Sequence, residues 1–126
     1  MPLVRIDLMK NSDASFGQRV GKVVYESMRS SIGIPDHDNF QIITEHDAQH
    51  LIFDTSYLGI ERTPGFVTIQ IALNEGRTLE QKKVLYRTIA QGLERLGVRQ
   101  DDVFVNLVEV KKENWSFGGG IAQYAV

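Results

Sequence analysis

Proline stands second in the chain, directly after the initiator methionine. A small penultimate residue permits methionine removal, so the mature chain is expected to begin with Pro2 as a secondary amine. That nitrogen works as base or acid according to its surroundings: burial or a nearby cation releases its proton, and a nearby carboxylate holds it. The sequence has no cysteine, which excludes disulfide frameworks, thiolate nucleophiles and cysteine-ligated zinc. Arg77 precedes a helix-like stretch, where a guanidinium adds to the positive end of the helix dipole and to free backbone donors, a combination that favours an anionic ligand. His46 and His50 stand four apart with Asp47 between them, yet no third ligand and no HExxH pattern accompanies them, so no metal site is expected. Gly118, Gly119 and Gly120 lack the flanking residues of a phosphate cradle and read as a flexible turn. Tyr57, Tyr86 and Ser116 have no partner pattern for nucleophilic catalysis.

The elements that position these groups follow from periodicity. Val4, Ile6 and Leu8 alternate, Phe16, Val20, Val23, Val24 and Met28 form a helical stripe, and Phe40 to Ile43 is extended. Further on Val67, Ile69, Ile71 and Leu73 alternate, Leu85, Ile89, Leu93 and Leu96 share a helix face, and Val103, Val105 and Leu107 alternate again. Sliding the sequence by 64 positions lays Gly33 and Ile34 on Gly97 and Val98, and Asp38, Phe40, Ile43 and Glu45 on Asp102, Phe104, Leu107 and Glu109. The same shift lays Leu3, Val20, Tyr25 and Ile32 on Val67, Val84, Ile89 and Leu96. A duplicated unit is expected. Thr78 to Gln81 is a capping-box pattern, Gly97 closes the second helix, and Gly33 with Pro35 closes the first.

Each copy therefore reads as a βαβ unit, the first at about 2–45 and the second at about 66–110, followed by a tail at 111–126. The fold class is α+β: a four-stranded mixed sheet with two helices on one face. Phe104, Val108 and Val110 make the other face partly apolar, and burial against further copies of the chain would cover it. Residues 46–65 form a connection long enough to be functional or to contain a small strand.

Length and composition bound the possibilities. A chain of 126 residues with 42% hydrophobic and 24% charged residues fits one globular domain spanning 1–126. A net charge of -2 offers no broad basic surface for nucleic acid. No apolar run approaches bilayer length, and Arg5 and Asp7 interrupt the start where a signal peptide would be apolar. No membrane partner and a cytoplasmic location are expected.

Pro2, the stretch Gly33 to Ile42 (GIPDHDNFQI), the run Leu58 to Thr63 (LGIERT), Gly76-Arg77-Thr78 and Trp115-Ser116-Phe117-Gly118 together resemble the tautomerase superfamily, and within it the malonate semialdehyde decarboxylase group. The resemblance covers nearly the whole chain in order. It implies a homotrimer of βαβ-repeat subunits, independent of cofactors, with the amino-terminal proline on the floor of each pocket and a small carboxylate as substrate. It further implies Pro2 as acid or base, Asp38 as the carboxylate that holds the proline's proton or activates water, and Arg77 as the carboxylate anchor. Trp115 and Phe117 become an apolar wall that lowers the local dielectric. Read from the residues alone, Asp38 is equally an ordinary turn residue, as is its repeat mate Asp102.

The decarboxylase pattern has two arginines separated by one residue before the second helix, whereas this chain reads Glu75-Gly76-Arg77. The lost cation removes charge that would polarise a carbonyl, so a keto-enol tautomerase acting through one amine and one anchor is the leading reading. Decarboxylation of a 3-oxo acid such as malonate semialdehyde, or hydration, is the alternative. A non-enzymatic oligomeric binding module is the rival from another class.

Overall fold

In the computed structural model, which describes residues 1–125, the strand, helix, strand order occurs twice. The first unit contains β1 (Leu3–Met9), α1 (Phe16–Ile32) and β2 (Gln41–His46), and the second contains β3 (Val67–Asn74), α2 (Leu79–Glu94) and β4 (Val103–Val110). Each helix carries the chain back to the end where its strand began, so β1 pairs parallel with β2 and β3 with β4. β1 and β3 meet antiparallel, which gives the order β2-β1-β3-β4. The last tail residue, Val126, lies outside the described residues.

Alternation decides which face is dry. Val4, Ile6 and Leu8 of β1 and Val67, Ile69, Ile71 and Leu73 of β3 are buried with Val20, Val24 and Met28 of α1 and Leu85, Ile89 and Leu93 of α2. Burying a side chain of this size contributes roughly 1.5–3 kcal/mol. The helices approach closely at Gly92, where a Cβ would lie 2.6 Å from Val23 Cγ1.

The expected helix boundaries are present. Thr78 Oγ1 accepts the Gln81 N–H at 3.1 Å while Gln81 Oε1 accepts the Thr78 N–H at 2.9 Å, the reciprocal pair of a capping box. Gly97 adopts φ 91°, and the N–H groups of Gly97 and Val98 return to the carbonyls of Glu94 and Leu93, a Schellman closure.

The repeat register differs in one respect from the single shift of 64. That shift holds for the glycines that close the helices and for β2 with β4. Upstream the core positions Val20, Val24 and Met28 correspond to Leu85, Ile89 and Leu93, one residue further on. Val84, aligned with the wholly buried Val20, is 39% exposed. The reason lies at the helix ends: the N–H groups of Ile34 and Val98 seek the carbonyls of Met28 and Leu93, across one more residue in α1 than in α2.

The connection between the units contains no strand. It has two short 3₁₀ turns at Ala48–His50 and Tyr57–Gly59. Asp54 Oδ1 accepts the N–H groups of Ser56 and Tyr57 at 2.8 Å each, and Arg62 Nη1 donates to the carbonyls of Asp54, Tyr57 and Ile60. Those bonds hold the Asp54 carboxyl below its usual range, the Ser56 N–H contributing most. Arg62 is thereby committed to the loop's own backbone. The face of the sheet away from the helices exposes Phe40, Ile42, Phe104 and Val108, whereas Val110 is only half-exposed. Among the described residues no helix is long and apolar enough to cross a membrane.

Candidate active site

Antiparallel pairing of the two inner strands creates a meeting point. Leu3 lies opposite Ala72, so Met1 and Pro2 run beside Leu73 and Asn74 at the end of β3. On the other flank Val4 N–H donates to Phe40 O at 3.0 Å, and Val4 faces Gln41, so the residues entering β2 lie beside the residues entering β1. Asp38, the amino terminus and the β3–α2 turn containing Arg77 are thus brought to one end of the sheet by two strand registers, β1 with β3 and β1 with β2.

Asp38 is the most unusual group there. Its Oδ2 is 3.6 Å from the Met1 amine, its side chain is 14% exposed, and its Oδ1 is buried with no hydrogen-bond partner among the described residues. Leaving a buried acceptor unpaired costs about 1–3 kcal/mol. Its repeat mate shows the opposite arrangement. Asp102 is almost wholly buried and accepts the Thr63 N–H at 2.7 Å and the Thr63 hydroxyl at 2.5 Å, with Arg99 Nη1 at 3.7 Å. Asp102 closes a loop; Asp38 turns Oδ2 towards the chain terminus and keeps a buried Oδ1 that no described residue satisfies. With Met1 present Pro2 is a buried amide, and removing Met1 brings a charged or basic ring nitrogen to within one peptide unit, about 3.8 Å, of the position opposite Asp38.

Arg77 sits just before the Thr78 cap of α2, half-buried, with Nη1 donating to Asn74 O at 3.2 Å. No other hydrogen bond of its guanidinium occurs among the described residues, which leaves most of a planar five-donor fork for an anion. Behind it, the Glu109 carboxyl is held below its ordinary range, first by the Lys82 ammonium at 2.8 Å and further by the Gly76 N–H and the Arg77 charge. An ionised Glu109 paired to Lys82 leaves Arg77 as the cation at the turn. Glu75, exposed and with its backbone N–H donated to Val110 O, carries a carboxylate where a second cation would stand.

Trp115 and Phe117 stack with ring centroids 5.5 Å apart, and the Trp115 indole N–H donates to Asn74 Oδ1 at 2.7 Å. The aromatic pair therefore lies at the same end of β3 as Arg77. Tyr124 meets Phe117 edge-on at 4.9 Å, so the tail folds on itself within one chain. The cause is the glycine run: Gly118, Gly119 and Gly120 all take positive φ and reverse the chain. Asn74 escaped the sequence reading because an asparagine ending a strand looks like any turn residue. Its significance comes from two partners three and 41 residues away.

The remaining candidates are explained locally. His46 Nε2 bonds Asp7 Oδ1 at 2.6 Å, and no metal-binding group of three ligands occurs among the described residues. His37 has φ 64° and donates its backbone N–H to the Tyr25 hydroxyl, which ties the turn before Asp38 to α1.

Comparison with known proteins decides the family. The family described as "Tautomerase enzyme" matches residues 38–118, well over half of the chain. The probable tautomerase YusQ of Bacillus subtilis (strain 168) is 40% identical over 124 residues, covering 98% of each chain. The chain belongs to the tautomerase family. A second relative of this tautomerase, the probable tautomerase YrdN of the same organism, is 34% identical and covers 98% of this chain and 96% of the relative. Among solved structures, FG41 malonate semialdehyde decarboxylase inhibited by 3-bromopropiolate is similar with a TM-score of 0.91 and 35% identity, over 97% of this tautomerase and 93% of that chain. A native fused 4-OT structure shares the fold at a TM-score of 0.79 and 21% identity, covering 98% of both chains. Members of the superfamily are isomerases, and its decarboxylase and hydratase relatives share the same fold.

Proposed function

We propose that this tautomerase interconverts keto and enol forms of a small carboxylate, using the Pro2 nitrogen exposed by removal of Met1. The neutral amine takes the enol hydroxyl proton, the electron pair left on oxygen forms C=O, and the C=C electrons take up a proton from the prolinium at carbon. Asp38 holds the charged proline between the two transfers, Arg77 binds the carboxylate by paired N–H donors, and Trp115 and Phe117 keep water away. No cofactor takes part. The unit is the single domain read from the sequence, assembled as a homotrimer through the apolar face of Phe40, Ile42, Phe104 and Val108, in the cytoplasm.

The observation that carries this reading is the largely buried Asp38 carboxylate, with Oδ2 facing the chain terminus and Oδ1 without a partner among the described residues. Its test compares the repeat mates. Asp38→Ala lowers kcat/KM on an aryl enolpyruvate by about 10²-fold without loss of unfolding free energy, since the unpaired buried acceptor it removes costs about 1–3 kcal/mol. Asp102→Ala removes the acceptor of two Thr63 donors and costs about 2–3 kcal/mol in urea unfolding. A fully active Asp38→Ala enzyme would sink the reading.

A decarboxylase reading is favoured by the 35% identity to FG41 malonate semialdehyde decarboxylase. There protonated Pro2 polarises the β-carbonyl as the carboxylate leaves as carbon dioxide, and the enolate left behind is protonated at carbon. The pH profile of kcat separates the two: loss of rate on the acid side marks Pro2 as a base, and loss on the alkaline side marks it as an acid.

A further inference from the structure

Asn74 ends β3 and serves two elements at once. Its backbone oxygen accepts from Arg77 Nη1 at 3.2 Å, and its side-chain oxygen accepts from the Trp115 indole at 2.7 Å. The tail's other hydrogen bonds are internal: Asn114 to Lys111, Phe117 N–H to Gln123 Oε1, Gln123 Nε2 to Gly118 O, and Ala125 to Ala122. Among the described residues, the indole bond is the one hydrogen bond joining residues 111–125 to the rest of the protein. Among the described residues no ion pair joins them either. Stacking of Trp115, Phe117 and Tyr124 makes the tail one aromatic unit, so whatever fixes Trp115 fixes all three rings.

We propose that Asn74 is a positioning residue: its side-chain amide docks the carboxy-terminal tail at the carboxylate-binding end of the sheet and thereby sets substrate affinity. This rests on the tautomerase site proposed above. Asn74 does not touch the reacting atoms in this scheme. Its backbone fixes the Arg77 fork, and its side chain fixes the aromatic wall, so a single strand-end residue sets the spacing between the polar and apolar sides of the pocket. Only the second of these tasks belongs to the side chain, and that is what a substitution removes.

Trp115 is the only tryptophan, so its fluorescence reports on the tail directly. In Asn74→Ala the indole loses its acceptor, acrylamide quenching rises severalfold, and KM for an aryl enolpyruvate rises about five- to tenfold with kcat within about twofold, the split expected when ground-state binding is lost. Asn74→Asp keeps the acceptor and restores the wild-type quenching. Trp115→Phe, which keeps a ring but has no N–H, reproduces the KM effect, and the double variant Asn74→Ala with Trp115→Phe is no worse than either alone. Unchanged quenching in Asn74→Ala overturns the proposal, as does a KM effect without a quenching effect or additivity in the double variant. Should the wild-type protein turn over no enol carboxylate, the catalytic reading fails and the quenching comparison by itself decides whether Asn74 docks the tail. Far-UV circular dichroism of Asn74→Ala and Asn74→Asp guards against a folding defect.

Discussion

Replacing Pro2 with Ala lowers kcat/KM on an aryl enolpyruvate by about 10²–10⁴-fold, the range that a positioned acid or base contributes. The folded sheet is retained, because β1 begins at Leu3 and its register with β3 and β2 does not use the Pro2 side chain. Two properties are lost together. The pyrrolidine ring restrains the terminal nitrogen, whereas a terminal alanine amine rotates freely, and a secondary amine becomes a primary one. The neighbouring carboxylate, Asp38, is unchanged in this variant, so any remaining activity measures what Asp38 and Arg77 achieve without a fixed ring nitrogen. The companion measurement is mass. A preparation in which Met1 is retained has an amide at Pro2, with no basic lone pair, and is inactive until methionine aminopeptidase exposes the ring. Turnover left unchanged by Pro2→Ala or by Met1 retention would overturn the amine mechanism, and a wild type that turns over nothing would make a non-enzymatic oligomeric module the better account.

Arg77→Gln raises KM for the same carboxylate by about 10²-fold. Each charge-assisted hydrogen bond to a carboxylate is worth roughly 1.5–3 kcal/mol, and about 1.4 kcal/mol is a factor of ten. A single guanidinium stands at the turn, and the Lys82 ammonium is engaged by Glu109. Arg77→Lys recovers little, since an ammonium supplies charge without the planar fork and cannot bond Asn74 O and a carboxylate in the same geometry. The specific control is the methyl ester of the substrate: its KM is already high in the wild type and barely responds to Arg77→Gln. Equal responses from acid and ester would show that Arg77 does not hold the carboxylate.

Much of the fold was open to reading from the sequence because the signals are local. Alternation in Val4, Ile6 and Leu8, the stripe of Leu85, Ile89 and Leu93, the Thr78 to Gln81 box and the Gly97 closure each depend on neighbours within a few residues. The one-residue slip between the halves was not open in this way, because an apolar residue such as Val84 matches Val20 in type while standing on a different side of its helix. Burial, which only packing supplies, distinguishes them.

At the site the division is similar. Pro2 as a potential amine, Arg77 at a helix entry and the absence of thiols follow from residue identity and order alone. Asp38 and Asp102 are indistinguishable at that level, being the same residue at the same place in a repeat. The tertiary structure separated them by giving Thr63 and Arg99 to one and the chain terminus to the other. It also brought forward Asn74, whose partners are a backbone turn and a distant indole. The physical reason is that hydrogen-bond satisfaction belongs to pairs of groups meeting through strand register, and such meetings between remote segments have no signature in local spacing.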